Sequence, residues 1–228
     1  MIKLAPHAAG RRRFCRLLAA FAAIACLPGL AIGGAFDDYF KAVKLDLDGQ
    51  VSKLLAQGFD PNAIEPERGD TGLILALRED AMKVFAVLLK ARDINLEAHA
   101  RNGDTALMIA AFKANLPAVR ALLDKGVEVN QRGWTALHYA AASGNNDIVA
   151  LLLDKSAYID AESPNGTTPI MMAARGGHIL TVKLLLDEGA DATLKNGAGL
   201  TAIDFARMNN HNDIVEGLSY RLKKAGKP

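Results

Sequence analysis

The chain has 228 residues, of which 50% are apolar but only 6% aromatic, a composition typical of alanine- and leucine-rich helical proteins. Its formal net charge is +2, yet residues 1–35 hold five of the 27 basic residues and no acidic one. From Phe36 onward, 22 basic and 25 acidic residues give a net charge of −3. This excludes an electrostatic basis for binding nucleic acid.

The first 35 residues have the layout of an export signal. A basic head that ends at Arg16 precedes the charge-free run LLAAFAAIACLPGLAIGGAF of residues 17–36, which closes in small residues. We predict cleavage after Ala35, with Ala31 as the second choice. The alternative is an uncleaved anchor, because 20 apolar residues are just long enough to cross about 30 Å of hydrocarbon.

Two details of this segment leave the export route open. Residues 11–16, RRRFCR, resemble the twin-arginine export motif, although Gly10 replaces the usual hydroxyl residue, and we favour an ordinary signal. Residues 23–26, AIAC, loosely resemble a lipoprotein cleavage box. Both cysteines, Cys15 and Cys26, lie here, so a chain cleaved after Ala35 contains neither a disulfide nor a cysteine nucleophile.

Five similar segments follow, each opening with a glycine two residues before a threonine. They are GDTGLILAL at Thr71, GDTALMIAA at Thr105, GWTALHYAA at Thr135, GTTPIMMAA at Thr168 and GLTAIDFAR at Thr201, spaced by 34, 30, 33 and 33 residues. Each threonine predicts the N-cap of a short helix, which a turn connects to a second, leucine-rich helix. Because such a thin unit cannot bury its own apolar face, the units must stack.

This period, the G-x-T-[PA]-L-H-x-A-A opening and the G-A-D-x-N close resemble the ankyrin repeat over nearly all of residues 36–222. The resemblance implies an all-α ankyrin-repeat solenoid of about six helix–turn–helix units with short β-hairpin loops. We predict an export signal peptide at 1–35, the repeat domain at 36–222 and a disordered tail at 223–228. The units fall at about 36–67, 68–100, 101–131, 132–163, 164–196 and 197–222.

The spacing also predicts where the units depart from the common pattern. The first unit lacks the G-x-T opening and reads as a terminal cap, with Gly58 ending its second helix. In the second unit we place the extra residue near Arg92 and Asp93. Only four residues separate Asn130 from Thr135, so the finger-like loop between the third and fourth units should be clipped and leave a notch.

The sequence carries no catalytic signature, and we predict a protein that is not an enzyme and holds no cofactor or metal. His138 stands at the fourth position of T-A-L-H, where the resemblance implies hydrogen bonds to the backbone of the loops. His178 and His211 lie at helix-linking turns of units that are 33 residues apart, too far for one zinc ion.

The resemblance implies that ligands meet the loop tips and the exposed ends of the first helices. The candidate protein-binding residues on this concave face are Arg101, Asn102, Asp104, Phe112, Lys113, Arg132, Trp134, Ser143 and Arg175. We expect Arg101 and Asp104 to border the notch on one side and Arg132 and Trp134 on the other. Trp134 is either a binding anchor or a packing residue, and Arg78, nearer the edge, should contribute little to binding.

The sequence therefore favours a non-catalytic protein–protein interaction scaffold in the periplasm, or a secreted one. We expect a monomer that binds an unidentified protein partner, without nucleic acid and without membrane contact after signal cleavage. One rival is a membrane-tethered structural organiser, in which residues 17–35 persist. Another is an enzyme with a site grafted on the stack, which predicts a polar cluster with displaced acidities in the groove beside the clipped loop.

Overall fold

The computed structural model describes residues 32–226, and within them the chain forms α-helices joined by short turns and loops. The helices come in six consecutive pairs, as the repeat pattern predicts: α1 (Ile32–Lys44) and α2 (Asp48–Ala56), α3 (Gly72–Arg78) and α4 (Met82–Leu88), α5 (Ala106–Phe112) and α6 (Leu116–Asp124), α7 (Ala136–Ser143) and α8 (Asn146–Asp154), α9 (Pro169–Arg175) and α10 (Ile179–Asp187), α11 (Ala202–Met208) and α12 (Asn212–Lys224). An all-α stack of six helix–turn–helix units is confirmed.

Every predicted capping threonine stands immediately before a first helix. Thr71 Oγ1 accepts a hydrogen bond from the N–H of Ile74 at 3.4 Å, and Thr105 Oγ1 accepts one from Met108 at 3.3 Å. Thr135, Thr168 and Thr201 occupy the same position, in the same extended backbone, before α7, α9 and α11. Each threonine thus fixes where the first helix of its unit begins.

Nine residues after each threonine, a left-handed residue turns the chain into the second helix. These residues are Asp80, Ala114, Gly144, Gly177 and Asn210. Glycine is required at two of these positions, because an added Cβ would lie 2.4 Å from the His178 ring at Gly144 and 2.6 Å from the His211 ring at Gly177. The turn of one unit therefore receives the imidazole of the next.

The helices pack in two rows, first helices against first helices and second helices against second helices. The helices α5, α7 and α9 each contain two successive buried alanines, which allow close approach. In α3 the second alanine is replaced by Leu77, and α3 packs less closely on α5 than α5 does on α7. In the second row each unit from the second to the sixth buries one leucine almost completely: Leu88, Leu122, Leu152, Leu185 and Leu218.

We use the name finger loop for the connection between the end of a second helix and the next capping threonine. Successive finger loops are joined by a repeated bond in which a side-chain oxygen accepts a hydrogen bond from a backbone N–H of the next loop. The four bonds run from Asn95 to Asn62 (2.7 Å), from Glu128 to Glu97 (2.8 Å), from Tyr158 to Asn130 (2.8 Å) and from Asp191 to Asp160 (3.1 Å).

The finger loops are tight turns rather than the β-hairpins that the resemblance implies. Ser163 N–H donates to the Thr167 carbonyl, and Asn196 N–H donates to the Leu200 carbonyl, both at 3.0 Å. One isolated antiparallel bridge joins Ile64 to Thr71, and residues 32–226 contain no strand. Each of these loops closes with a single pair of facing residues, whereas a strand requires two consecutive pairs.

The left-handed residues locate the two irregular periods. Asp80 and Asp93 are thirteen positions apart, whereas twelve separate the equivalent Ala114 and Gly126. The extra residue of the second unit therefore lies between Asp80 and Asp93, an interval that includes the predicted place near Arg92 and Asp93. From Gly126 to the next capping threonine there are nine positions, against twelve in the following unit. Residues 127–134 contain bends only, and the clipped finger loop is confirmed.

Both ends of the stack extend beyond the predicted domain limits. At the start, α1 begins at Ile32, so cleavage after Ala35 would remove its first turn. At the other end, α12 runs to Lys224 rather than ending at 222, because Leu222 packs against the core and basic residues in the last turn suit the negative end of the helix. Residues 227–228 of the predicted tail lie outside the described residues.

Most of the predicted export signal lies outside the described residues. Arg11, Arg12, Cys15 and Cys26 belong to that part, and the export prediction stays a prediction. Within residues 32–226, no helix combines the length and the apolar character needed to cross a membrane.

Candidate functional site

The finger loops and the exposed ends of the first helices lie on one face of the stack. Arg78 at the end of α3 contacts Asp104 in the following finger loop, and Tyr139 of α7 reaches the same carboxylate. Side chains of three successive units thereby meet on one surface. We keep the name concave face for the surface formed by these loops and helix ends.

A largely buried ion network lies at the centre of the concave face in the second to fourth units. Arg78 Nη2 lies 2.8 Å from Asp104 Oδ2, and Arg78 Nε lies 2.9 Å from Asp70 Oδ2. Asp104 also accepts hydrogen bonds from Asn102 Nδ2 at 2.7 Å and from the Tyr139 hydroxyl. Asp70 is fully buried, and apart from its ion pair with Arg78 neither carboxylate oxygen has a hydrogen-bond partner in the described part of the chain.

The electrostatics of this network follow from burial and from the two carboxylates that share one guanidinium. Burial raises the pKa of Asp70, and the Arg78 charge offsets this shift only in part. Burial opposes ionisation of Arg78, but Asp104 and Asp70 together raise the pKa of that side chain. Burial and the hydrogen bond to Asp104 raise the pKa of Tyr139. Arg78 and Tyr139 therefore keep their protons at neutral pH.

An aromatic group lies beside the ion network. The rings of Phe112 and Tyr139 meet edge to face with centroids 6.0 Å apart. Trp134 makes the same kind of contact with Tyr139 at 6.4 Å and with His138 at 5.2 Å. Phe112 is 54% exposed, whereas Trp134 and Tyr139 are half-buried. One aromatic ring thus projects to solvent from a base of two packed rings.

His138 has the structural role that the resemblance implies. Its Nδ1 accepts a hydrogen bond from Thr135 N–H at 3.1 Å, and its Nε2 lies 2.9 Å from the Thr167 carbonyl, to which it donates. Burial lowers the pKa of His138, although the bond to Thr167 opposes the shift. A neutral imidazole therefore connects α7 to the next finger loop.

His178 and His211, which lie in helix-linking turns, also form hydrogen bonds to the backbone. Nε2 of His178 lies 2.9 Å from the Ala142 carbonyl, and Nε2 of His211 lies 3.2 Å from the Arg175 carbonyl. Each imidazole thereby joins its turn to the first helix of the preceding unit. In residues 32–226 no three His, Cys, Asp or Glu side chains come close enough to hold a metal ion.

Of the nine predicted binding residues, four are engaged within the stack. The Arg101 guanidinium donates to the carbonyls of Glu67 and Pro66, both at 2.8 Å. Asn102 and Asp104 belong to the ion network, and Ser143 Oγ donates to the Ala111 carbonyl at 3.2 Å. These side chains shape the surface, but the buried Asp104 is not free to meet a partner.

The remaining five predicted residues lie at or near the solvent. Phe112, Lys113, Arg132 and Arg175 are exposed, and Trp134 is half-buried. Tyr139 is not among the predicted binding residues, although it contacts Phe112, Trp134 and Asp104. Its position four residues after the capping threonine, where the neighbouring units have Ile109 and Met172, is the signal that would have placed it on this face.

The clipped finger loop opens a cleft of about 620 Å³, but its lining differs from the prediction. The lining residues are Glu97, His99, Gly126, Glu128, Gln131 and Arg132. Arg132 borders the cleft as expected, whereas Arg101, Asp104 and Trp134 do not line it. The reason is Glu97, whose carboxylate spans the gap and accepts from Glu128 N–H at 2.8 Å and from Gln131 Nε2 at 2.9 Å.

Comparison with known proteins identifies relatives of the repeat region. A family model described as ankyrin repeats (3 copies) matches residues 40–132, 84–163 and 157–225. The neurogenic locus notch homolog protein 1 is 41% identical in Xenopus laevis and 44% identical in Homo sapiens, each over 177 residues that cover 76% of this chain and 7% of that protein.

A second relative is the human SH3 and multiple ankyrin repeat domains protein 2, which is 33% identical over 121 residues, or 51% of this chain and 6% of that protein. The chain thus spans less than a tenth of the length of these relatives.

Proposed function

Because the chain belongs to the ankyrin-repeat family, we propose that it is an exported, non-catalytic scaffold that binds a partner protein through the concave face of its third to fifth units. Ankyrin repeats form protein–protein interaction domains, so binding of a protein is the general function of such a stack. We further propose that the binding surface is the concave face, that the protein acts outside the cytoplasm and that it has no catalytic activity.

The observation that carries the choice of surface is the exposed Phe112 ring. It projects from the packed base of Tyr139 and Trp134, and the buried ion network lies immediately beside it. Aromatic side chains on a rigid, already ordered base lose little conformational freedom on binding, which is why they dominate interface energetics. Lys113, Arg132 and Arg175 add exposed polar groups around this centre, the usual composition of a protein interface.

The proposal of export rests on the sequence of residues 1–35. Five basic residues without an acid precede an apolar run that ends in small residues, the order found in export signals. Cell fractionation of the full chain and of a chain beginning at Phe36 checks this directly. We expect the full chain outside the cytoplasm and the truncated chain inside it.

Two exposed apolar residues provide a matched test of the surface. Phe112 lies on the concave face and is 54% exposed, while Leu180 lies on α10 in the row of second helices and is 66% exposed. We expect Phe112→Asp to abolish capture of a partner from periplasmic extract and Leu180→Asp to leave it intact, with captured proteins quantified by mass spectrometry. Loss of capture with Leu180→Asp alone would place the interface on the second helices instead.

A further inference from the structure

Tyr139 belongs both to the ion network and to the aromatic group of the concave face. Its hydroxyl donates a hydrogen bond to Asp104, and its ring meets the rings of Phe112 and Trp134 edge to face with centroid distances of 6.0 Å and 6.4 Å. The two groups therefore meet in one side chain. A change at the hydroxyl end of Tyr139 reaches the other two rings through direct contacts.

The carboxylate that accepts from the Tyr139 hydroxyl is itself held in place. Asp104 is buried, and its Oδ2 atom accepts hydrogen bonds from Arg78 Nη2 at 2.8 Å and from Asn102 Nδ2 at 2.7 Å. The hydroxyl binds the other carboxylate oxygen, Oδ1. Because both oxygens are engaged, the carboxylate cannot turn without breaking charge-assisted hydrogen bonds. Asp104 thus gives the Tyr139 ring a rigid anchor.

Packing alone does not require a tyrosine at this position of the repeat. The residues four positions after the capping threonine in the third, fifth and sixth units are Ile109, Met172 and Phe205. Ile109 is buried, and the other two are partly buried against the core. Aliphatic, thioether and phenyl groups therefore all fill this place in the stack. The hydroxyl of Tyr139 adds a bond to Asp104 that these residues cannot form.

The Phe112 ring depends on Tyr139 for its aromatic contact. Phe112 is the last residue of α5 and is 54% exposed. Within residues 32–226 its ring meets one other ring, that of Tyr139. An exposed ring at a helix end moves between rotamers unless a neighbour restricts it, and each side chain that must be ordered on binding weakens affinity. The position of the Tyr139 ring therefore decides how ordered Phe112 is before a partner arrives.

We infer, resting on the function proposed above, that Tyr139 is a positioning residue of the binding surface. Its bond to Asp104 holds the ring against which Phe112 and Trp134 pack, so that these rings are ordered before the partner binds. Asp104 is buried and occupies the hydroxyl, so neither group is available to the partner. The ion network thereby raises the affinity of the concave face without contacting the bound protein.

The test compares Tyr139→Phe with Tyr220→Phe in the full chain. A phenyl group fits at this position of the repeat, as Phe205 shows, so Tyr139→Phe removes the hydroxyl and keeps the ring. Tyr220 lies on α12 in the row of second helices and is 67% exposed, so Tyr220→Phe removes a hydroxyl outside the concave face. Melting curves give a temperature at which both variants and the parent are folded, and all measurements are made there.

The binding probe is a peptide selected on the full chain from a phage library of random 12-residue peptides and lost with Phe112→Ala. We expect Tyr139→Phe to weaken its binding about 5-fold, the cost of ordering one more side chain on binding, and Tyr220→Phe to leave it unchanged. Trp134 is the one tryptophan of the chain, so its fluorescence reports on the aromatic group. Acrylamide should quench this fluorescence more strongly in Tyr139→Phe, because a less firmly packed indole is reached more often.

The outcomes separate this inference from the proposed function. Peptide binding by Tyr139→Phe that equals the parent, or equal weakening by Tyr220→Phe, would overturn the positioning role and leave the concave interface standing. Weaker binding with unchanged quenching of Trp134 would overturn it as well, because the hydroxyl would then act by contacting the peptide. A selection without any peptide sensitive to Phe112→Ala would overturn both the inference and the proposed surface.

Discussion

The structure of the concave face depends on contacts of single residues. In the ion network, these contacts differ between residues that occupy equivalent positions in the sequence. Asp70 and Asp104 stand at the same position of successive units and look equivalent in the sequence. In the structure the Asp104 carboxylate accepts bonds from Arg78, Asn102 and Tyr139, whereas the Asp70 carboxylate forms an ion pair with Arg78 and has no hydrogen-bond partner among residues 32–226. The residue spacing places both carboxylates on this face, but the difference arises from Asn102 in the same loop and from Tyr139 in the following unit.

This difference predicts unequal stability effects of two identical substitutions. Asp104→Asn should lower the free energy of unfolding by about 2–3 kcal/mol, because it weakens a charge-assisted network that is mostly buried. Asp70→Asn should change it by less than about 1 kcal/mol, because the loss of the ion pair is offset by the lower cost of burying a neutral group. Urea denaturation of both variants measures this, and equal losses would contradict the assigned network.

His138 predicts a pH dependence whose sign follows from its lowered pKa. The unfolded chain takes up a proton near pH 6.5, whereas the folded chain resists protonation of the buried ring. Stability is therefore fully present above pH 6.5 and falls as the pH drops below it, by up to about 1.4 kcal/mol per pH unit.

The matched variants are His138→Gln and His99→Gln. Glutamine at position 138 preserves the capping interaction without titrating in this range, and His99 is exposed. Melting temperatures between pH 7.5 and 5.5 should fall less steeply for His138→Gln than for the parent and for His99→Gln. Identical slopes in all three proteins would assign the pH dependence to other groups.

The sequence leaves two roles open for Trp134, that of a binding anchor and that of a packing residue. Its ring packs on His138 and Tyr139 and is half-buried, so packing accounts for one side of the ring. We expect Trp134→Ala, measured while still folded, to weaken partner binding by about 2 kcal/mol or more, as for interface hot spots. Arg78→Ala is unsuitable as the neutral reference because Arg78 holds two buried aspartates, and Leu180→Ala replaces it. A Trp134→Ala protein that melts early but binds like the parent would assign the ring to packing.

At the scale of helices and turns, much more can be predicted from the sequence. The capping threonines, the buried leucines and the irregular periods follow from local chemistry and from counting residues. The lining of the cleft does not, because Glu97 belongs to the preceding finger loop and reaches across the gap. Contacts between units depend on the side chains of both partners, and a pattern within one unit contains only half of that information.

The pairing of turn glycines with histidines can be tested at this scale. Gly144→Ala should cost about 2–3 kcal/mol, because a Cβ there displaces His178 and breaks its bond to Ala142 as well as straining the left-handed backbone. Gly126→Ala has the same strain but no atom within 4 Å, and it should cost about 1 kcal/mol.

Combining Gly144→Ala with His178→Ala should reduce the cost of the glycine substitution to that of Gly126→Ala. Urea denaturation of the single and double variants gives the coupling free energy. Simple additivity of the two substitutions would show that the imidazole does not depend on the glycine.

For the whole molecule, six stacked units align the exposed groups of successive first helices along one face. Phe112, Arg175 and Met208 occupy the same position in three units and are exposed in each, while the second helices bury their leucines in a separate row. A stack built in this way presents an ordered surface before any partner arrives. Its affinity therefore depends on surface chemistry rather than on a change of fold.

Site-specific photo-crosslinking can show whether the partner contacts the concave face. A photoreactive amino acid is placed singly at Phe112, at Arg175 or at Leu180 of the full chain, three exposed positions whose substitution leaves the core intact. We expect a crosslinked partner protein from positions 112 and 175 and none from 180. Crosslinks from position 180 alone, or equal yields from all three positions, would contradict this expectation.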